Sequence, residues 1–344
     1  MERLFETIEI LTNLPGISGD EFRVRTKILE MIEGHYETAL VDPLGSLIVT
    51  KKGKKTPKHK LMAEAHMDEV GFIITAYADS GMLHFAPVGG VDPRVALGRR
   101  VYFPKTDHYG VIGYKAIHTL ERSELRKIPG YDVLCIDIGA KNREEAENAI
   151  ALGDSVVFDS QYQEFGHGKI KAKAIDDRAG CAMLVEMIRG EIPFDTTFVF
   201  DVQEEVGLRG AEASTYRVAP DYAVVVESTT AADIADTPND KTVCNQGDGA
   251  VLSWMDHSTV YDRALVEEAF ALAKEKGIKA QPKRTVAGGN DAGSIHRSRG
   301  GVKTLSVSLP CRYLHSQSSV VEKSDVVESF KLVAAWLEAM GMKE

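Results

Sequence analysis

Two adjacent carboxylates, Glu204 and Glu205, stand in "DVQEEVGLRG" just past the apolar run "TTFVFDV". Neighbouring like charges repel and glutamate is a poor strand former, so the pair needs a use. A cation that takes one carboxylate as a ligand, and a reaction that takes the other as a base, would supply it. Other apolar runs end in the same manner. "KLMAEA" runs into His66 with Asp68 two residues on, "KIKAKAI" into Asp176-Asp177 and "YAVVV" into Glu227, while "VKTLSVSLP" is followed by Arg312 and His315. Open α/β sheets bind ligands at the carboxyl ends of their strands. Provided these five strands are parallel neighbours, they deliver His, Asp, Glu, Glu and His to one edge.

Two imidazoles and four or more carboxylates form a ligand set for a pair of divalent ions, and zinc, cobalt and manganese all accept such sites. Metals about 3.5–4 Å apart share one bridging carboxylate and one bridging hydroxide, which attacks a carbonyl. That chemistry is hydrolysis, most simply of an amide. Residues i and i+2 of a strand face the same way, so Asp68 can hold the second ring nitrogen of His66 and fix its tautomer. Each feature alone has an ordinary explanation. A strand-end histidine is often structural, an "EE" pair often sits on a solvated loop, and Asp177 can cap a helix starting near Ala179. Their joint occurrence at strand ends makes those explanations weak together.

The elements that must position these groups are legible from periodicity. "FETIEILTNLPGISGDEFRVRTKILEMIEGHY" reads as helix, turn, helix, broken at Pro15-Gly16, with Ser18 or Asp20 as a cap for the second helix. "ALVDPLGSLIVTKKG" and "KLMAEAHMDEVGFIITAYA" read as strands, and the basic run "KKGKKTPKHK" between them as a solvated hairpin turn. From about 80 to 165, short β-like pieces alternate with Gly and Pro around one short helix, "NREEAENAIAL", which suggests a small barrel or sandwich. Beyond about 166, strands alternate with longer helices. The expected fold is therefore α/β, a mixed sheet with helices on both faces, interrupted by a small β-barrel-like insert. The catalytic domain spans 1–69 and 164–344, and the insert spans 70–163.

A chain of 344 residues suits two domains. Its net charge of -10 argues against a nucleic-acid partner. No stretch of 18 apolar residues suggests a membrane span, and the start reads as an amphipathic helix. The four cysteines, Cys135, Cys181, Cys244 and Cys311, are widely scattered, which fits a reduced cytoplasm.

In order and spacing, "AHMDEVGF", "AIDDRAGC", "QEEVGLRGA" and "CRYLHS" resemble the dinuclear aminopeptidases of metallopeptidase family 42, the tetrahedral (TET) group that includes glutamyl and deblocking aminopeptidases. "LPGISGDE", "DIGAKNREEAE" and "GGNDAG" at 288–293 also match, and the similarity runs along almost the whole chain. The resemblance implies that His66 and Glu227 hold one metal, Glu205 and His315 the other, and that Asp176 bridges both. It implies Glu204 as general base, Asp68 as the group orienting His66, and a cis Asp176–Asp177 peptide. It implies two divalent ions per subunit, zinc first, and peptide substrates. The insert resembles the family's dimerisation domain, and members typically assemble into hollow dodecamers built from dimers. Members differ in favouring acidic, aliphatic or basic N-terminal residues. The competing readings are a related dinuclear carboxypeptidase or N-acyl amino-acid deacylase and, further off, a glycoside hydrolase or a metal-free binding protein.

Overall fold

The computed structural model describes residues 1–344. Eight strands form one mixed sheet in the spatial order Thr38–Val41, Leu47–Lys51, Thr196–Asp201, Leu61–His66, Tyr222–Thr230, Lys303–Cys311, Ala250–Leu252 and Ala280–Pro282. The strands Thr196–Asp201, Leu61–His66, Tyr222–Thr230 and Lys303–Cys311 are mutually parallel neighbours. Their carboxyl ends therefore share one edge, with Asp201 level with His66 and Glu227 level with Ser308.

These four segments are rich in Val, Leu, Phe and Ala, and every residue of Leu61–His66 and Thr196–Asp201 is buried. Burial of both side-chain sets means that both faces of the sheet are covered, the usual condition of parallel strands. Helices Ile175–Arg189 and Lys323–Gly341 pack on the central strands, as do the shorter Arg209–Val218 and Ala292–Ile295. Fully buried Phe198 and Phe200 each contribute about 1.5–3 kcal/mol on leaving water.

Between Gly71 and Phe158 six strands close into a barrel. Its core is built on Phe72, Phe85, Phe103, Ile112, Ile136 and Phe158. Phe72 meets both Phe85 and Phe158 edge-on at 5.2 and 5.4 Å between ring centroids. Closure decides between the barrel and the sandwich that the short strands allowed.

Three local expectations need correction. The segment "KIKAKAI" does not join the main sheet. Its strand, Lys169–Ala172, lies in a separate three-stranded antiparallel sheet with Gln163–Phe165 and Ser319–Glu322. Four strands, not five, thus supply the parallel edge, and Asp176 arrives from the start of the helix Ile175–Arg189. The basic run is not a hairpin turn, because Thr196–Asp201 inserts between the two strands it joins. Its length allows that crossing, where a two-residue turn would force direct pairing. Ser18 and Asp20 do not cap the second helix, Phe22–Ile32. Ser18 donates to Asp68 and Asp20 accepts from Ser155, so both side chains serve tertiary contacts instead.

Candidate metal centre

His66 ends its strand 1 % exposed, with the two ring nitrogens facing different chemistry. Nδ1 lies 3.1 Å from the backbone carbonyl of Asp68. Nε2 lies 3.5 Å from Glu227 Oε1 and 3.6 Å from Asp176 Oδ1. His315 repeats the pattern from the loop after Lys303–Cys311. Its Nδ1 sits 3.0 Å from the Gly90 carbonyl, and its Nε2 lies 3.3 Å from both Asp176 Oδ2 and Glu205 Oε1. Asp176 stands between the two imidazoles, one oxygen toward each.

A carbonyl accepts but never donates, so each Nδ1 carries the ring hydrogen and each neutral Nε2 presents a lone pair. Those lone pairs face carboxylate oxygens. His66 Nε2, Asp176 Oδ1, Glu205 Oε1 and Glu227 Oε2 are buried without a hydrogen-bond partner. Acceptors converging on acceptors are tolerable only if a proton or a cation sits between them. Two donors bound tetrahedrally at about 2.1 Å to one ion stand about 3.4 Å apart, and the separations here are 3.3–3.6 Å. His66, Asp176, Glu205, Glu227 and His315 therefore form a donor set that divalent metal could occupy.

The electrostatics say the same. Burial raises the Glu205 carboxyl to about 8 and pushes Glu204 and Glu227 well above their ordinary range, aided by their carboxylate neighbours. Burial disfavours the charged imidazoles, but the surrounding carboxylates outweigh it. They raise His315 to about 9 and His66 well above its usual value.

Asp68 does more than face His66. Its Oδ1 is 3.4 Å from Nδ1, while its two oxygens accept the amides of Glu204 and Glu205 at 3.0 and 3.1 Å and the Ser18 hydroxyl at 2.6 Å. One carboxylate thus fixes both glutamates of the "EE" pair. The strand ends bend sharply here: Ala174, Gln203, Leu208 and His315 all adopt left-handed backbone, uncommon outside glycine and concentrated at functional sites. Gly89 is left-handed too, and a Cβ there would meet Val70 at 2.8 Å and Glu205 at 3.2 Å, so only glycine lets the barrel's edge approach the site. The Asp176–Asp177 peptide is cis, as the resemblance implies. Asp177 accepts the Gly180 amide at 3.1 Å, the helix-capping role that was its ordinary explanation. Arg312 is held by Asp233 at 2.6 and 2.8 Å and stays out of the centre.

A cavity of about 410 Å³ opens beside the centre, lined by Asp176, Glu204, Glu205, Glu227 and His315 together with Thr229, Lys283, Gly288, Asn290 and Leu314. Lys283 and Gly90 escaped sequence reasoning, as did a buried acid cluster of Glu64, Asp201 and Asp291 near the sheet edge. Glu64 could have been found two residues before His66, on the same strand face.

The family described as M42 glutamyl aminopeptidase matches residues 45–332. The chain is 31% identical to the lysyl aminopeptidase of Pyrococcus furiosus, over 98% of this chain and 97% of that protein. It is 30% identical to the glutamyl aminopeptidase of Lactococcus lactis, over 99% and 98%. Among solved structures it is similar to the Pyrococcus horikoshii TET1 peptidase, which can assemble into a tetrahedron or a large octahedral shell. The TM-score is 0.83 at 34% identity, with 96% of this chain and 98% of that one covered.

Proposed function

This chain belongs to the M42 glutamyl aminopeptidase family and is an aminopeptidase of that family. From that premise we propose that it removes N-terminal residues from peptides using two divalent ions and Glu204 as general base. The observation that carries the reading is the pair of imidazole nitrogens, His66 Nε2 and His315 Nε2, turned toward Glu227, Asp176 and Glu205 at 3.3–3.6 Å.

His66 and Glu227 would hold one ion, His315 and Glu205 the other, and Asp176 both. Zinc suits the N/O donor set best, with cobalt or manganese as substitutes. Bound there, the ions supply Lewis acidity, which lowers the pKa of a water and polarises the scissile carbonyl. Glu204 has no side-chain partner and borders the cavity, so its carboxylate is free to accept a proton from the attacking water. It then returns that proton to the leaving amine nitrogen. Asp68 acts one step back, holding the amides that aim Glu204 and Glu205. The catalytic body then comprises residues 1–69 and 164–344, with the insert 70–163 as the oligomerisation domain.

The insert carries exposed apolar side chains, Val111, Ile117, Leu125 and Ile128 among them. Such surface favours subunit contact, and the shell formed by the Pyrococcus horikoshii relative supports a closed homo-oligomer, a dodecamer built from dimers. All four cysteines are free, which suits a reducing cytoplasm. No helix is long and apolar enough to cross a membrane.

A panel of aminoacyl p-nitroanilides assayed with added zinc, cobalt or manganese tests the reading. Hydrolysis that requires metal and a free α-amine supports it. Cleavage of N-acetylated substrates at equal rate, or of C-terminal residues only, would point to the deacylase or carboxypeptidase instead.

A further inference from the structure

Three successive backbone amides, those of Gln203, Glu204 and Glu205, donate to buried carboxylates. Asp68 takes the second and third, and Glu21 takes the first at 3.2 Å through Oε1. The same Glu21 oxygen accepts the Gly19 amide at 2.7 Å. Glu21 is 4 % exposed and stands at the N-cap of the helix Phe22–Ile32, yet its side chain makes no capping bond there. Amides are its side-chain partners, with no lysine, arginine or histidine among them. Burial and the charge of Asp68 raise its carboxyl to about 7, against the amides that lower it. A buried acid without a counter-charge is costly, and helix capping does not account for it.

Gln203 does account for it. Its backbone is left-handed at φ 58°, a conformation that a residue other than glycine holds only where its surroundings impose it. Successive amides around such a residue form a concavity that favours an anion, and Glu21 and Asp68 fill it from two sides. This turn leads straight into Glu204. The Glu205 side chain is steadied in addition by His315, 3.3 Å away. The Glu204 side chain borders the cavity and makes no hydrogen bond, so its direction depends on the backbone that carries it.

We propose that Glu21 is a positioning residue: it holds the left-handed turn at Gln203 and so aims the Glu204 carboxylate at the attacking water. The inference rests on Glu204 as general base and extends that role to a residue near the start of the chain. Glu21 touches neither substrate nor metal ligand side chain, so its effect must pass through Glu204. Removing it should misdirect the base while leaving the donor set of His66, Asp176, Glu205, Glu227 and His315 in place.

The experiment is a double-mutant cycle on the metal-loaded enzyme. Wild type, Glu21→Ala, Glu204→Gln and the double variant are assayed on the aminoacyl p-nitroanilide that wild type cleaves best, with kcat referred to chains carrying two equivalents of metal. Glu21→Ala should lower kcat about tenfold to a hundredfold, the cost of a catalytic group displaced by about 1 Å, with KM changed less than about threefold. In the Glu204→Gln background the same change should lower kcat less than about threefold, because the group that Glu21 aims is already disabled. Glu21→Gln, whose amide oxygen still accepts, should keep more activity than Glu21→Ala. Glu21→Asp keeps the charge but shortens the reach by a methylene, and it carries the same cycle should Glu21→Ala not fold. Equal factors in the two backgrounds, or loss of metal from the Glu21 variants, would overturn the assignment. So would a Glu21→Gln as impaired as Glu21→Ala. Undiminished kcat in Glu204→Gln would remove the base itself and the inference with it. Failure of metal-loaded wild type on every aminoacyl substrate would overturn the aminopeptidase reading, a result distinct from equal factors in the two backgrounds.

Discussion

Between Gly71 and Phe158 the barrel buries a single charged side chain, Asp154, and matches it with Lys105 at 2.7 Å. Along the edge where the parallel strands end, Glu64, His66, Asp68, Asp201 and Glu227, with Asp176 from the start of the helix Ile175–Arg189, are all buried, and several of their oxygens lack any partner. The barrel core is assembled from aromatic and aliphatic contacts and gains stability from each. The sheet edge gives stability up, because buried acids facing one another are unfavourable until a cation joins them. The surrounding sheet, with its fully covered strands, supplies the excess that tolerates this. One chain thus holds a region organised for stability and a region organised for chemistry, and perturbations should separate them.

The sharpest separation should come from Asp176→Asn. Loss of the carboxylate shared by both imidazoles should remove both ions together and abolish activity, with the barrel's amide exchange unchanged. Two equivalents of metal retained by elemental analysis would break the assignment of Asp176 as the common ligand. The converse substitution is Phe72→Ala. Emptying the centre of the barrel's aromatic cluster should cost about 3–5 kcal/mol in denaturant unfolding, while metal content per folded chain stays at two. A cost below about 1 kcal/mol would mean that the barrel does not depend on this core.

Chelation should act on one region only. Ions that bind the native state at a hundred times Kd add about 2.7 kcal/mol of stability. Their removal should speed amide exchange at Gln203–Leu208 and Tyr313–Ser316 and leave Gly71–Tyr77 as before. Uniform loss of protection would tie the barrel to the metals and erase the contrast.

The smallest effect concerns a buried acid away from the centre. Burial raises the Asp325 carboxyl to about 6, against the amides of Gly247 and Gly249 that donate to it. Its unfolded value is about 3.9. Between the two values the native state holds more protons, so stability falls as pH rises from about 4 to about 6. Asp325→Asn should flatten that part of the profile, read as the denaturant midpoint at both ends of the window. Equal pH slopes in variant and wild type would contradict the shift.

Much of this was legible in the sequence because it is local. A strand that ends in His or Glu announces itself through periodicity, so His66, Glu204, Glu205, Glu227 and His315 could be placed on strand ends. The α/β plan and the interrupted, β-rich middle followed from the same patterns. What escaped was set by pairing between distant segments. Lys169–Ala172 has the composition of a main-sheet strand, and only its partner Ser319–Glu322 removes it to a smaller sheet. The use of Asp68 by two backbone amides across the sheet leaves no trace in residue type. Glu64 hides for another reason: in a strand covered on both faces, a polar residue is buried wherever it points. Lys283 resembles any surface lysine until the cavity around it exists.

We propose that Glu204 and Glu205, adjacent in sequence, divide the work of base and ligand, and Glu204→Gln separates the two roles. The amide keeps size and shape but cannot accept the proton. The variant should retain two equivalents of metal, keep KM nearly unchanged, and lose about 10²–10⁴ in kcat. Glu205→Gln, measured beside it, should bind the second ion weakly and recover part of its activity in excess metal. Loss of metal from Glu204→Gln with a fully loaded but inactive Glu205→Gln would reverse the two roles, and undiminished kcat in Glu204→Gln would contradict the mechanism outright.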